Sequence, residues 1–162
     1  SPARFKNSVH NTGAGMFSIA MDNRGYATAI AGGHDTVALS LLEAILLLQH
    51  DRYETAVVAL ADECLPAPLT HFSPHEALGV AVVLGRAPHP ERGSLGTLSI
   101  PQRSPEALFA TDTRFTGNPI APLLDVIDAL DGGRAGRVSL SLPGGEPWWC
   151  EVQSNAEARA RT

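Results

Sequence analysis

The sequence predicts an α/β fold, a mixed sheet with one central helix buried against it. Three observations carry this. Residues 36–49 are apolar at Val37, Ala38, Leu39, Leu41, Leu42, Ala44, Ile45, Leu46, Leu47 and Leu48, which leaves almost no polar face, and a helix apolar nearly all round belongs in a core. Residues 54–61 and 75–85 are short apolar runs of the kind that fill buried sheet positions. Residues 26–31 have strand-like composition and turn through Gly32, Gly33, His34 and Asp35 into the helix. Strand, long helix and strand make a crossover unit, right-handed by the usual rule.

The 162 residues suffice for one domain with a sizeable core. We expect that domain to span 1–153, with residues 154–162, rich in Ala, Arg and Glu, as a flexible tail. Apolar residues make up 44% and charged ones 18%, ordinary for a soluble globular protein. The net charge of −5 argues against nucleic acid or an anionic membrane as partner. No apolar run is long enough to span a bilayer, and no signal-like start is recognisable. Cys64 and Cys150 fit neither a disulfide framework nor a metal pattern, which points to a reducing compartment, the cytoplasm. The six histidines are scattered without zinc-site spacing, so no metal and no cofactor is expected.

Taken in order, residues 1–12 are polar and lack periodicity, and His10 reads first as a surface or loop-anchoring histidine. Arg24 and Gly25 form a turn. At the corner, Asp35 or Thr36 would cap the helix by accepting amide hydrogen bonds. A sharp strand-to-helix corner lifts one side chain off the end of a sheet, a geometry that enzymes use to hold a nucleophile. Here that side chain is His34, which would either bond a backbone carbonyl or line a ligand pocket. Asp62 and Glu63 read as a solvated strand end, followed by a loop over 65–69. Residues 94–100 alternate and would pair with the preceding strand as a hairpin. Residues 101–119 are irregular, with a helical turn at 105–110. A second helix covers 120–130, with Pro122 in its first turn and Gly132 and Gly133 at its end. Residues 137–142 and 148–152 form a closing hairpin around Pro143, Gly144, Gly145, Glu146 and Pro147.

The stretch from Arg24 through the corner resembles the nucleophile corner of the beta-ketoacyl synthases, in the thiolase-like superfamily. That family reads Arg-Gly-Pro-Ser, a strand, Thr-Ala-Cys-Ser-Ser and a long apolar helix. Laid on without gaps from Arg24 and Gly25, the nucleophilic cysteine falls on His34 and the two residues before it on Gly32 and Gly33. The same register matches Gly15, Ser18, Leu48 and Ala56. A two-residue slip instead matches Val37, Ala38 and Leu39 and puts Gly32 at the cysteine. Neither register supplies a cysteine, serine or threonine. Further on, Glu76, Gly79, Val82, Val83 and Leu84 match a synthase strand. Gly144 and Gly145 take the glycine places of the closing turn, Phe-Gly-Gly-Thr-Asn, while Pro147, Trp148 and Trp149 depart from it. A complete synthase is much longer and has two such halves. This chain looks like one abridged half with a closing hairpin, and the family's first strands would precede Ser1. Residues 5–10, with Asn-Ser-Val-His-Asn, are similar to small synthase-like proteins encoded beside aryl polyene pigment pathways.

The resemblance carries an expectation about function. Decarboxylative condensation needs a thiolate to carry the acyl chain and two histidines to stabilise the enolate. In the family both histidines come from the C-terminal half, yet no histidine follows His89, and Cys64 lies past a strand end. A synthase framework without its nucleophile resembles the chain-length factors. The expected function is therefore a non-catalytic subunit of a fatty-acid or polyketide-type pathway, forming a homodimer or a heterodimer with a ketosynthase. It would shape an acyl pocket at Gly32, Gly33, His34, Gly144 and Gly145, with acyl carrier protein as a further partner. The dimer would form through residues 26–31 and the neighbouring 15–21 segment, which in the family is a helix near the two-fold axis. The alternative is an enzyme of altered chemistry, acyl transfer or thioester hydrolysis, with His34 as general base and Asp35 or His10 assisting.

Overall fold

The computed structural model describes residues 11–50, 52–72, 74–103, 115 and 117–155. The chain divides into two compact units, Ser1–Ala31 and Gly32–Thr162.

In the first unit, helix α1 spans Thr12–Ala20 and buries none of its residues. The helical reading of the 15–20 segment holds. Ser18 Oγ donates to the Ala14 carbonyl at 2.9 Å, and the Asn23 amide returns to the Ser18 carbonyl at 2.8 Å. The turn at Arg24 and Gly25 is made by Asn23, whose Oδ1 accepts the Gly25 amide at 2.9 Å; side chains of this type imitate a backbone turn. The strand expected over 26–31 is not formed: among the described residues the first strand begins at Thr55. The composition suits a strand, but a strand exists only with a neighbour to pair. The crossover that needed it is accordingly not formed either.

The second unit opens with a tight turn, Gly33–Asp35, that leads into helix α2, Thr36–Gln49. The expected limits of this helix are the observed ones. It buries Val37, Ala38, Ser40, Leu41, Ala44 and Leu48. The opposite side is less enclosed than an all-round apolar sequence implies, and Leu46 is 43% exposed.

Strand β1, Thr55–Asp62, pairs with β2, Leu78–Gly85, in an antiparallel register from Thr55↔Gly85 to Asp62↔Leu78. Leu60, Leu78, Val80, Val82 and Leu84 point to the core, where they meet the cluster containing Val37, Ala38 and Leu41. The other face is small and apolar, with Val57 and Val83 opposite one another and exposed.

The second sheet is built on β6, Trp148–Ser154. One edge of β6 pairs with β5, Ala135–Ser139. Its other edge takes β3, Gly96–Leu98, and then β4, Gln102–Arg103. Leu98 faces Val152 and Gln102 faces Trp149, so the 96–103 segment carries one extra residue there, a bulge. Ser99 spans it: its amide donates to the Glu151 carbonyl and its Oγ accepts the Glu151 amide, both at 2.9 Å. The hairpin expected between 94–100 and the 76–84 strand is therefore replaced by pairing with β6. Alternation identifies the faces of a strand, not its neighbour. The neighbour is selected by Gly96, where a Cβ would collide with the Gln153 carbonyl, and by Asn155, which bonds Leu95 and Ser94.

Helix α3, Pro122–Asp131, carries proline in its first turn as expected. The Gly132 amide closes it on the Asp128 carbonyl at 2.9 Å, and Gly133 follows at φ +71. Its Leu123, Val126, Ala129 and Leu130 join Val37, Ala38 and Leu41 of α2 and Trp148, Cys150 and Val152 of β6 in one core cluster. The class is thus the α/β one expected. All pairings among the described strands are antiparallel, because a parallel partner required the unformed strand ahead of α2. Ser154, the last residue of strand β6, and Asn155, bonded to Leu95 and Ser94, both lie within the stretch read as a tail; residues 156–162, and the 105–110 turn, lie outside the described residues. Among the described residues no helix is long and apolar enough to cross a membrane.

Candidate functional site: a glycine corner under the closing turn

The corner is shaped by two glycines and a hydroxyl. Gly33 sits at φ +57, a left-handed conformation that costs other residues about 1–2 kcal/mol. Thr36 Oγ1 accepts the Gly32 amide at 3.0 Å and donates to the Gly33 carbonyl at 2.8 Å. Thr36 therefore accepts an amide, as a cap would, but from the residue before the corner and not from the helix. Asp35 occupies the cap position without a side-chain bond to the helix, which corrects the capping role expected for it. Its Oδ1 accepts the Glu146 amide at 2.9 Å, a contact across 111 residues of sequence.

That bond brings the closing turn of the β5–β6 hairpin onto the corner. Gly144 has φ +101, and a Cβ placed there would lie 3.8 Å from Cδ2 and Nε2 of His34. At Gly145 a Cβ would come within 2.6 Å of Asp35 Oδ1 and 2.9 Å of His34 Cβ. Glycine is required at 145 by this approach. Beyond the turn, Glu146 Oε2 lies 4.0 Å from Arg103 Nη1, and the Arg103 guanidinium stacks over Trp148 at 5.0 Å.

Five of the predicted positions thus meet with Asp35 in one place: Gly33 and His34 at the corner, Gly144 and Gly145 above it, and Gly32 behind. Gly32 is turned inward, since a Cβ there would lie 2.7 Å from Leu39 Cδ1. The side chain that faces the closing turn is His34. Its ring is exposed, and among the described residues it makes neither the carbonyl bond expected of a helix-start histidine nor a bond to Asp35. His10 lies outside the described residues.

A second polar cluster was not anticipated from the sequence. Asp62, read as a solvated strand end, is half-buried and places Oδ2 3.6 Å from Nε2 of the buried His75. Cys64 Sγ donates to the His75 carbonyl at 2.7 Å. The fully buried Asn118 donates to the Glu76 carbonyl at 2.8 Å and accepts the Ile120 amide at 3.0 Å, tying the start of α3 to the approach to β2. The register Asp62↔Leu78 is the signal that could have found the first pair, because it returns residue 75 beside the end of β1. Of the two thiols, Cys64 is exposed and Cys150 buried, and burial pushes Cys150 up to about 12. Among the described residues no group of three or more His, Cys, Asp and Glu side chains is placed to hold a metal.

An apolar helix launched from a glycine corner, with a glycine turn folded onto it, is the arrangement that the sequence likeness to the condensing enzymes implied. Residues 1–114 match the family described as beta-ketoacyl synthase, N-terminal domain, and the chain belongs to that family. No curated protein and no solved structure matches the chain.

Proposed function

We propose that this chain is a non-catalytic, chain-length-factor-like subunit of a fatty-acid or polyketide-type pathway, of the kind found beside aryl polyene pigment synthesis. The observation that carries the reading is the identity of the side chain under the closing turn. It is His34, an imidazole, where condensation requires a thiolate. Of the two thiols, Cys64 sits beyond β1 and Cys150 inside the core. In this reading residues 1–153 act as one domain, and Gly32, Gly33, His34, Gly144 and Gly145 border an acyl pocket. The subunit works in the cytoplasm with an acyl carrier protein and pairs with itself or with a ketosynthase.

The dimer forms through residues 26–31 and the 15–21 segment. Supporting this, 26–31 has neither charge nor proline, the features that protect a free edge, and Met16, Phe17, Ile19 and Met21 are all more than half exposed. The interface is isologous in a homodimer. Thr28→Asp then weakens association by about 3–5 kcal/mol through a buried unpaired charge. Sedimentation velocity of the chain, alone and with a ketosynthase, checks this. A monomer in both experiments at high concentration contradicts the dimer.

A second reading has one observation in its favour. The exposed His34 ring, unbonded among the described residues, is available to take a proton, as a general base for acyl transfer or thioester hydrolysis must be. Incubation with acyl-carrier thioesters separates the two. Turnover by the wild type that vanishes in His34→Ala supports the enzyme and overturns the non-catalytic subunit.

A further inference from the structure

We propose that Asp35 is the positioning residue of this site. Its carboxylate latches the closing turn onto the corner and so sets the distance between the glycine pair and His34. The latch is built from three features. The carboxylate accepts the Glu146 amide at 2.9 Å, a bond to a charged acceptor and hence stronger than an ordinary one. The residue beside that amide, Gly145, has no room for a side chain because Asp35 Oδ1 and His34 Cβ occupy the space. On its far side the Glu146 carboxylate is drawn toward Arg103, which is itself stacked on Trp148. The peptide of Glu146 is held by the corner and its side chain by β4. The turn therefore adds a polar tie between the corner and the second sheet, beside the imidazole.

This assigns Asp35 a role different from both a helix cap and an acid partner for His34. A carboxylate that holds the turn is aimed at a backbone amide and not at the ring. The inference deepens the acyl-pocket reading, because the latch would fix the width of that pocket at its glycine wall, but it does not need an acyl chain to be tested.

The test is amide hydrogen exchange at Glu146, read against Leu140, whose amide donates to the Trp148 carbonyl within the same hairpin. In the wild type the Glu146 amide exchanges slowly. In Asp35→Ala it exchanges about ten- to a hundredfold faster, the loss expected of a bond to a charged group, while Leu140 is unchanged. Asp35→Asn, which keeps an acceptor oxygen without the charge, falls between. Rapid exchange at Glu146 in the wild type overturns the proposal, as does equal protection in wild type and Asp35→Ala. If Asp35→Ala unfolds and Leu140 loses protection too, Asp35→Asn decides: Glu146 must exchange faster than in the wild type with Leu140 intact, and no difference refutes the latch. An intact latch in a protein that binds no acyl chain would remove the pocket reading and leave this one standing.

Discussion

Replacing Gly145 with alanine tests the contact between corner and turn most sharply. The added methyl would sit 2.6 Å from Asp35 Oδ1 and 2.9 Å from His34 Cβ. The carboxylate oxygen can rotate away, but the His34 Cβ is fixed to the backbone, so relief requires the corner or the turn to move. Overpacking of this kind costs about 1–3 kcal/mol, and displacing the turn breaks the Asp35–Glu146 bond, worth about 1.5–3 kcal/mol with a charged acceptor. If both apply in full the loss is about 2.5–6 kcal/mol, an upper figure because a turn that swings off as a unit relieves the clash and loses only the bond. Urea unfolding followed by tryptophan fluorescence reports it, since Trp148 and Trp149 follow the turn directly. Gly79→Ala is the control: a Cβ there meets nothing within 4 Å, and its effect should stay within about 0.5 kcal/mol. If Gly145→Ala proves as silent as Gly79→Ala, the turn does not lie on the corner and the site described here does not exist.

Stability should fall in alkali because of Cys150. Its thiol is raised from 9.0 to about 12 by burial, so the folded state keeps a proton that the unfolded state releases above pH 9; the contribution is complete below that pH and lost between about 9 and 12. The slope is about 1.4 kcal/mol per pH unit in that window, and Cys150→Ala should flatten that part of the stability–pH curve. Native protein treated with a thiol reagent at neutral pH should modify Cys64 alone, with Cys150 reacting only after denaturation, as mass spectrometry of the labelled peptides would reveal. Leu41→Ala, at a core position 1% exposed, should cost about 2–5 kcal/mol and lower the thermal midpoint; a surface-like loss under 1 kcal/mol would place α2 outside the core.

What could be read from the sequence was what local chemistry determines. Helix α2 was legible to its ends because a run that is apolar but for Ser40 and Glu43 is bounded by glycines at one side and by polar residues at the other. Strands β1 and β2 and the closing hairpin were legible because each is a short apolar or alternating run flanked by turn residues, whereas the pairing of β1 with β2 was not. The corner and turn were legible as places through their glycine pairs, and the family resemblance put them in one pocket, but the bond that joins them was not legible. Asp35 read as a cap or as a partner for His34 because both lie beside it in the sequence, and the amide it holds lies 111 residues away. Strand β3 was sent to the wrong neighbour for a related reason. Alternation at 94–100 fixes which side chains face inward, whereas Gly96 against Gln153 and Ser99 against Glu151 fix the partner. Residues 26–31 show the converse limit, a segment with strand composition that forms no strand among the described residues. Asp62 and His75 meet only because the β1–β2 register returns the chain beside its starting point.

The most direct measurement is reconstitution with a catalytically competent beta-ketoacyl synthase, malonyl-carrier protein and an acyl primer, with products analysed by mass spectrometry. A non-catalytic, chain-shaping subunit yields no condensation product by itself, and added to the synthase it changes the distribution of product lengths. Condensation product from the chain alone, or an unchanged distribution from a mixture in which the two proteins co-sediment, would contradict that function.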